Sequence, residues 1–239
     1  MIELLPVPGG PLDVDELAAR YAYPDPLTRP YVRVNFVTSA DGAVAMDGRS
    51  RGLSSKPDRR VFRLLRDLCD VVLVGAGTAR AERYRGVRRR AGTRDDRAAP
   101  ARIAVVTSSA ELDPASGLFT DTEVAPLVLT TPDAPSERLD RLATAGAEVV
   151  TCGTEPTQLL GALEERGLRR VLCEGGPVLF GRLIEADAVD ELCLTHTPLL
   201  VAGDAGRIAG GTRPVTRQLR LASVLTEEDA LLLRYLRSP

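Results

Sequence analysis

The chain reads Val72-Leu73-Val74-Gly75-Ala76-Gly77-Thr78 in its first half and Val171-Leu172-Cys173-Glu174-Gly175-Gly176-Pro177 in its second. In each stretch an apolar run typical of a buried strand enters a turn with two glycines and then a segment that can begin a helix. The first turn of a helix leaves backbone N–H groups without partners, and these groups can bind an anion. The two stretches therefore predict an α/β fold that binds a phosphate-rich ligand at the ends of two strands.

The glycine pattern does not fit a Rossmann dinucleotide site. Gly75 and Gly77 are followed by Arg80, where the third glycine of G-x-G-x-x-G would stand. No acidic residue closes a strand about 20 residues beyond either turn, as recognition of a ribose in that fold requires. We therefore expect a different nucleotide-binding α/β architecture.

Composition limits the classes of function. The 239 residues, 44% of them hydrophobic, can form a sizeable core, and we favour one domain. A formal net charge of −2 disfavours binding to nucleic acid or to an anionic membrane. No apolar run reaches the length of about 18 residues that a membrane span needs, and the N-terminus does not resemble a signal peptide. We expect a cytoplasmic protein.

The cysteines and the single histidine do not predict a metal site. Cys69, Cys152, Cys173 and Cys193 are scattered without a C-x-x-C pair, and His196 lies in a strand-like run with no second histidine. Reduced cysteines in apolar runs pack as small hydrophobic residues. We therefore expect neither a disulfide nor a bound metal.

Alternating strand and helix patterns predict a largely parallel sheet. The helix at 57–68 should bury Leu64, Leu65 and Leu68, and the arginine-rich stretch 80–102 is too polar for an element. We expect strands near 31–38, 70–74, 102–107, 126–130, 147–151, 169–173, 190–201, 217–225 and 230–236, and helices at 13–21, 57–68, from 78, at 135–145, at 156–166 and beyond 176. The last two strands should form a hairpin. Residues 1–29 read as an N-terminal extension that precedes a domain of residues 30–239.

Several short motifs occur in a fixed order. They are Val37-Thr38-Ser39-Ala40-Asp41-Gly42, Ser50-Arg51-Gly52-Leu53-Ser54-Ser55, the arginine-rich helix from Arg59 to Arg66, Val74-Gly75-Ala76-Gly77-Thr78, Val105-Val106-Thr107-Ser108 and Glu174-Gly175-Gly176-Pro177. Together they resemble the pyrimidine reductases of riboflavin biosynthesis, a family with the dihydrofolate-reductase-like α/β fold. The resemblance implies a mostly parallel central sheet flanked by helices, with an antiparallel C-terminal hairpin. The family is often fused to a zinc deaminase, but its H-x-E and P-C-x-x-C motifs are absent from this sequence. We therefore expect the reductase alone.

The resemblance implies NADPH as the hydride donor, and it implies a homodimer. The residues that it assigns to the cofactor are Val37, Gly52, Gly75, Gly77, Thr78, Thr107, Ser108, Gly175, Gly176, Pro177, Val178 and Leu179. Glycines and the start of the helix after Gly176 suit a diphosphate, and Thr107 and Ser108 suit the adenosine ribose or its 2′-phosphate. The alternative is that these residues form ordinary turns and caps.

The same resemblance assigns residues to substrate and chemistry. Substrate binding falls to Ser50, Arg66, Glu82, Arg85 and Arg89, of which the arginines can supply the cationic donors that a ribosyl phosphate requires; Arg66 is otherwise a salt-bridging surface residue. The catalytic candidates are Glu174, Asp41 and Asn35. Glu174 either orients the substrate and assists protonation or caps the following helix, and Asp41-Gly42 is otherwise a tight turn. Because Asn35 stands where some members have lysine, no general-acid lysine is available.

One loop departs from the family pattern. Family members commonly read Thr-x-x-Ala-Asp-Asp-Pro-x-Leu-Thr, whereas this chain has Thr78-Ala79-Arg80-Ala81-Glu82-Arg83-Tyr84-Arg85. The expected function is NADPH-dependent reduction of 5-amino-6-(5-phosphoribosylamino)uracil, a phosphorylated ribosylaminopyrimidine, to its ribitylamino product. The alternatives are a reductase of another heterocycle, such as dihydrofolate, and a non-catalytic nucleotide-binding module.

Overall fold

The computed structural model describes residues 1–6, 9–88, 99–211 and 213–238. Its strands are β1 (Ile2–Leu5), β2 (Tyr31–Ser39), β3 (Val71–Gly75), β4 (Arg102–Val106), β5 (Leu127–Thr130), β6 (Glu148–Thr151), β7 (Arg170–Cys173), β8 (Glu191–Thr197), β9 (Leu219–Glu227) and β10 (Ala230–Arg237). They form one sheet in the order β1-β9-β10-β8-β2-β7-β3-β4-β5-β6. From β8 to β6 all neighbours run parallel, whereas β1, β9, β10 and β8 pair antiparallel.

The helices cover both faces of this sheet. They are α1 (Val14–Arg20), α2 (Lys56–Leu68), α3 (Ala76–Ala81), α4 (Gly117–Thr120), α5 (Ser136–Thr144), α6 (Pro156–Glu164) and α7 (Pro177–Glu185). Buried side chains of α1 to α5 join one hydrophobic cluster, and those of α6 and α7 join a second. The strands between them are nearly continuous runs of valine and leucine, as expected for a parallel sheet buried on both faces. No helix in these ranges is both long and apolar enough to cross a lipid bilayer.

The expected α/β alternation and the C-terminal hairpin are confirmed. Glu228 and Asp229 form a two-residue turn between β9 and β10, both with positive φ, 49° and 61°. Such a turn matches the twist of the two strands. The element bounds differ by a few residues, and β8 ends at Thr197, before Pro198, rather than near 201.

Two parts of the sequence interpretation need correction. The short elements β1 and α4 and a 3-10 turn at Ser50–Gly52 were not predicted, because three or four residues carry too little periodicity. On α2, Leu65 is fully buried, but Leu64 and Leu68 are only partly buried. The buried positions of α2 are instead Pro57, Asp58, Val61 and Leu65, which leaves the face carrying Phe62 and Arg66 for other contacts.

Residues 1–29 contribute to the sheet and to its core. β1 pairs with β9, and Leu17 and Tyr21 are buried in the cluster that contains α2. Asp13 and Glu16 form a reciprocal capping box at the start of α1. The helix is therefore held at its N-terminus by side chains and along its length by core packing.

A buried ionic cluster joins β2, β8 and β10. Arg33 and Arg234 each make two hydrogen bonds to Glu191, at 2.9 and 3.1 Å and at 2.7 and 3.2 Å. The side chains of Arg33 and Glu191 are 0% exposed, and Tyr31 donates a further bond to Glu191 at 3.0 Å. Burial alone would raise the pKa of Glu191, but the two guanidinium groups lower it below its ordinary value. Each charge therefore depends on its partners.

Candidate active site

The two glycine turns meet in the structure. β3 and β7 are parallel neighbours, so Gly75, the last residue of β3, and Gly175, just after β7, lie at the same edge of the sheet. The amide of Gly75 donates to the carbonyl oxygen of Gly175 at 2.8 Å, and that of Glu174 donates to Leu73 at 3.0 Å. The peptide bond between Gly175 and Gly176 is cis. The two predicted anion-binding turns thus form one continuous structure.

Close contacts require glycine at two positions of this structure. Gly175 has φ +87°, and a Cβ atom there would lie 2.8 Å from the ring of Phe36. A Cβ atom on Gly176 would lie 2.4 Å from Oγ1 of Thr78, on the facing helix α3. Neither distance is compatible with van der Waals contact, so these glycines allow the start of α7 to approach β2 and α3.

The start of α7 provides free amide groups. Gly176 is its N-cap and no side chain caps it, while Pro177 carries no N–H. Within the described ranges, the amides of Val178 and Leu179 have no hydrogen-bond acceptor, and the side chain of Val178 is 71% exposed. No side chain caps α3 either. Two uncapped helix starts beside a glycine turn fit the diphosphate of a dinucleotide.

A cavity of about 800 Å³ opens beside this structure. Its lining includes ten residues proposed from the sequence, namely Asn35, Val37, Ser50, Arg66, Thr78, Glu82, Arg85, Glu174, Gly176 and Pro177. Nine others do not line it, namely Asp41, Gly52, Gly75, Gly77, Thr107, Ser108, Gly175, Val178 and Leu179. Arg89 lies outside the described residues. The structure therefore brings the substrate candidates together and places most cofactor candidates on adjoining turns.

Glu174 lies at the centre of a hydrogen-bonded cluster in the cavity wall. Arg66 donates to both carboxylate oxygens at 2.7 Å, and the hydroxyl of Tyr84 donates to Oε2 at 2.5 Å. The guanidinium of Arg66 lies over the rings of Phe62 and Tyr84, 4.5 and 5.3 Å from their centres. The carboxylate of Glu174 is thus hydrogen-bonded to Arg66 on α2 and does not cap α7. Tyr84 and Phe62 were not among the residues singled out from the sequence.

Arginines dominate the charge of the cavity wall. Arg66 is occupied by Glu174, and Arg85 pairs with Asp121 at 2.9 Å. Arg51, Arg63 and Arg83 also line the cavity, and no hydrogen bond or ion pair engages their guanidinium groups within the described chain. These three are the cations free to bind an anionic ligand.

The helix α2 presents one face to the cavity. Asp58, Phe62 and Arg66 are spaced four residues apart, which places them on one side of a helix. Asp58 is a buried carboxyl group that accepts a hydrogen bond from Ser54 at 2.5 Å, and burial raises its pKa. The four-residue spacing of Asp58, Phe62 and Arg66 was a signal from which this face could have been found in the sequence.

Comparisons with known proteins agree with this geometry. The family model of the RibD C-terminal domain matches residues 30–233. The chain belongs to the RibD C-terminal domain family. A relative from Archaeoglobus fulgidus, named 2,5-diamino-6-ribosylamino-4(3H)-pyrimidinone 5′-phosphate reductase, is 32% identical over 183 residues, which cover 73% of this chain and 83% of the relative. A protein of the same name from Methanothermobacter thermautotrophicus is 33% identical over 188 residues, covering 77% and 85%.

Longer members and solved structures extend the comparison. The riboflavin biosynthesis protein RibD of Mycobacterium tuberculosis is 30% identical over 194 residues, and the match covers 80% of this chain and 49% of that protein. A pyrimidine reductase-like protein from Corynebacterium diphtheriae has a TM-score of 0.80 at 26% identity, covering 88% and 92% of the two chains. The expected fold class and the resemblance to pyrimidine reductases are confirmed, and members of the RibD C-terminal domain family are named as reductases.

Two motifs that carried the RibD resemblance make local contacts away from the cavity. The carboxylate of Asp41 accepts a hydrogen bond from Ser39 and bonds from the amides of Val201 and Ala202, at 3.1 and 2.8 Å. These hydrogen bonds, the one from Ser39 first, lower the pKa of Asp41 to about 2. At the end of β4, Thr107 accepts a bond from the amide of Ala110 at 3.0 Å. Both side chains thus hold turns beside the site.

Proposed function

We propose that this member of the RibD C-terminal domain family is an NADPH-dependent reductase of a phosphorylated ribosylaminopyrimidine. Bound NADPH would supply the hydride for reduction of the open-chain imine form of the substrate at C1′, and water would supply the proton for the imine nitrogen. The observation that carries this proposal is the joined glycine structure beside a cavity in whose wall the buried Glu174 pairs with the partly exposed Arg66. A nucleotide-binding surface and a polar, arginine-lined cavity are the two parts that such a reaction requires.

The chain's own residues hold and orient the two molecules. Free amides of Val178 and Leu179 bind the diphosphate, and the contact of Gly176 with Thr78 keeps the two helix starts together. Glu174, fixed by Arg66, accepts a hydrogen bond from the substrate. Asn35 lines the cavity, and its side-chain amide has no partner in the described ranges, so it can bind a polar group of either molecule.

We assign the substrate phosphate to Arg51, Arg63 and Arg83. Arg66 is a weaker candidate than the sequence indicated, because its two bonds to Glu174 at 2.7 Å occupy the guanidinium edge that would bind phosphate. Arg85 is engaged by Asp121. Asp41 contributes indirectly in this proposal, by holding the loop at Val201 and Ala202.

The pyrimidine itself has two candidates. The sequence interpretation favours 5-amino-6-(5-phosphoribosylamino)uracil, whereas relatives of similar length carry the name of a 2,5-diamino-6-ribosylamino-4(3H)-pyrimidinone 5′-phosphate reductase. The two molecules differ in an exocyclic amino group replaced by an oxo group. A binding site with matched donors and acceptors can separate such a pair by several orders of magnitude.

NADPH absorbance, followed with purified protein and each pyrimidine, tests the proposal. Dihydrofolate and a Glu174→Gln variant run in parallel. We expect rapid oxidation with one pyrimidine and a much lower, still measurable rate in the variant. Tight NADPH binding without oxidation by either pyrimidine contradicts the proposal, leaving another heterocycle if dihydrofolate reacts and a non-catalytic binding module if nothing does.

We also propose that the protein is a homodimer in the cytoplasm. On β9 and β10, Leu221 and Leu231 are 37% and 40% exposed, and the partly buried Val224 and Leu233 lie on the same side of the sheet. A second copy of this chain is the occupant we propose for this apolar surface. Light scattering should give twice the chain mass for the wild type and a lower mass for Leu231→Glu.

A further inference from the structure

Tyr84 is the one member of the Glu174 cluster that stands in the loop departing from the family pattern. In Thr-x-x-Ala-Asp-Asp-Pro-x-Leu-Thr a proline occupies its position when the pattern is aligned on Thr78. Proline carries neither a hydroxyl nor an aromatic ring, so it can make neither contact that Tyr84 makes. The interaction with Glu174 is therefore particular to chains that carry a hydrogen-bond donor here.

Local backbone geometry directs Tyr84 into the cavity wall. α3 ends with Arg83 in the left-handed region at φ 54°, the amide of Tyr84 bonds back to Ala79 at 2.9 Å, and the amide of Arg83 bonds to Arg80 at 3.2 Å. This is the hydrogen-bond pattern of a Schellman motif, which reverses the chain at a helix end. The ring packs against the core cluster that contains Ala79. Its position is thus set by the helix end.

The bonds to Glu174 are distributed unequally between its two oxygens. Among the described residues, Oε2 receives Arg66 at 2.7 Å and Tyr84 at 2.5 Å, whereas Oε1 receives only Arg66, at 2.7 Å. A carboxylate oxygen can accept about two hydrogen bonds, so Oε1 retains an open acceptor position while Oε2 is filled. Burial raises the pKa of Tyr84 well above its ordinary value, which keeps the phenol protonated and able to donate.

We propose that Tyr84 is a positioning residue that fixes the Glu174 carboxylate so that only Oε1 remains open to an N–H or O–H group of the substrate. The inference rests on the reductase function proposed above and adds to it the role of a residue that the family pattern lacks. Three further titratable groups of the described chain interact electrostatically with this cluster: Cys69 with Arg66, Glu82 with Tyr84 and Cys173 with Glu174.

The decisive variant is Tyr84→Phe, which removes the hydroxyl and keeps the ring against Arg66. A hydrogen bond to a charged group is strong enough that we expect kcat to fall by about tenfold. The loss should appear in kcat rather than in KM for the pyrimidine, because the carboxylate is still present but is held less firmly. The dissociation constant of NADPH, measured by calorimetry without substrate, should not change.

Tyr31→Phe is the matched control. Tyr31 also donates its hydroxyl to a carboxylate, Glu191, at 3.0 Å, but neither residue lines the cavity. This variant should leave both kcat and KM unchanged. Tyr84→Phe should not lower kcat further in a Glu174→Gln background, because its effect passes through that carboxylate.

The positioning role of Tyr84 and the proposed reductase function fail on different results. A Tyr84→Phe variant with unchanged kcat overturns the inference, as does an additive loss of kcat in the Glu174→Gln background. A wild-type protein that reduces neither pyrimidine overturns the proposed function. In that case the contact is tested by the Tm values of the wild type, Tyr84→Phe, Glu174→Gln and the double variant. Non-additive changes in Tm support the Tyr84–Glu174 coupling, and additive changes overturn it.

Discussion

Substitution of Gly176 by alanine should disrupt the contact between the start of α7 and α3. The new Cβ atom would lie 2.4 Å from Oγ1 of Thr78, while the next atom of that side chain, Cβ, is 3.8 Å away. Overpacking of this kind costs about 1–3 kcal/mol. For a protein of this size each kcal/mol lowers Tm by about 2–4 °C, so we expect a fall of about 6 °C at the middle of both ranges.

The same geometry predicts a rescue. Thr78→Ala removes the only atom closer than 3.8 Å, so the double variant should recover most of the lost Tm. Gly77→Ala is the matched control, because a Cβ atom there meets nothing within 4 Å and alanine in a helix is favoured over glycine by about 0.5–1 kcal/mol. It should leave Tm unchanged or raise it slightly, and it should weaken NADPH binding if the cofactor approaches that backbone.

Scanning calorimetry at neutral pH measures Tm for the wild type, Gly176→Ala, Thr78→Ala, their double variant and Gly77→Ala. Titration calorimetry measures the NADPH affinity of the same proteins. A Gly176→Ala variant with the Tm of the wild type would refute the predicted clash with Thr78. So would a Gly176→Ala substitution that lowers Tm equally in the wild type and in the Thr78→Ala variant. Either result would mean that Thr78 or the glycine turn moves freely enough to accept a methyl group, and that the two helix starts are not held in contact.

Three further variants test charges described above. Glu191→Gln leaves the fully buried Arg33 without its carboxylate, so urea unfolding should show a loss of about 3–5 kcal/mol, while turnover by the folded protein is retained. Arg66→Lys keeps the charge but not the two parallel bonds to Glu174, so kcat should fall by about tenfold to a hundredfold in the NADPH assay. Asp41→Asn should be less stable than the wild type above about pH 4, and this difference should close as the pH falls towards 2, because the folded pKa of about 2 lies below the ordinary value of 3.8.

One result for each variant would contradict its prediction. A Glu191→Gln midpoint equal to that of the wild type would mean that the buried arginines find other partners. Full activity in Arg66→Lys would remove any need for two bonds at Glu174. A stability difference between Asp41→Asn and the wild type that stays constant between pH 4 and 2 would show that the Asp41 carboxylate is not held by the loop at Val201.

The long elements could be predicted from the sequence because each carries its own local signal. Valine and leucine runs such as that of β3, and Pro57 in the first turn of α2, report on structure within a few residues. β1 and α4 were not predicted, because each is only four residues long. The glycine turns were recognised from their spacing alone.

The site was harder to predict, because its decisive contacts join distant residues. Arg66 and Tyr84 meet Glu174 across 108 and 90 positions, and no local pattern records which partner a carboxylate selects. The resemblance placed Arg66 and Glu174 in the site as separate ligands of a substrate, whereas the structure pairs them. Tyr84 escaped because the family pattern has proline in its place.

The strand order has a consequence for how this chain is made. β2 lies between β8 and β7, which come more than a hundred residues later, and the first strand pairs with the ninth. While the first half of the chain leaves the ribosome, both edges of β2 lack their partners and expose unpaired backbone groups. Long-range parallel pairing is intrinsically slow, so the nascent chain passes through a period in which its central strand is open to association with other chains. Fragments that end before β7 should therefore aggregate, however well their own helices form.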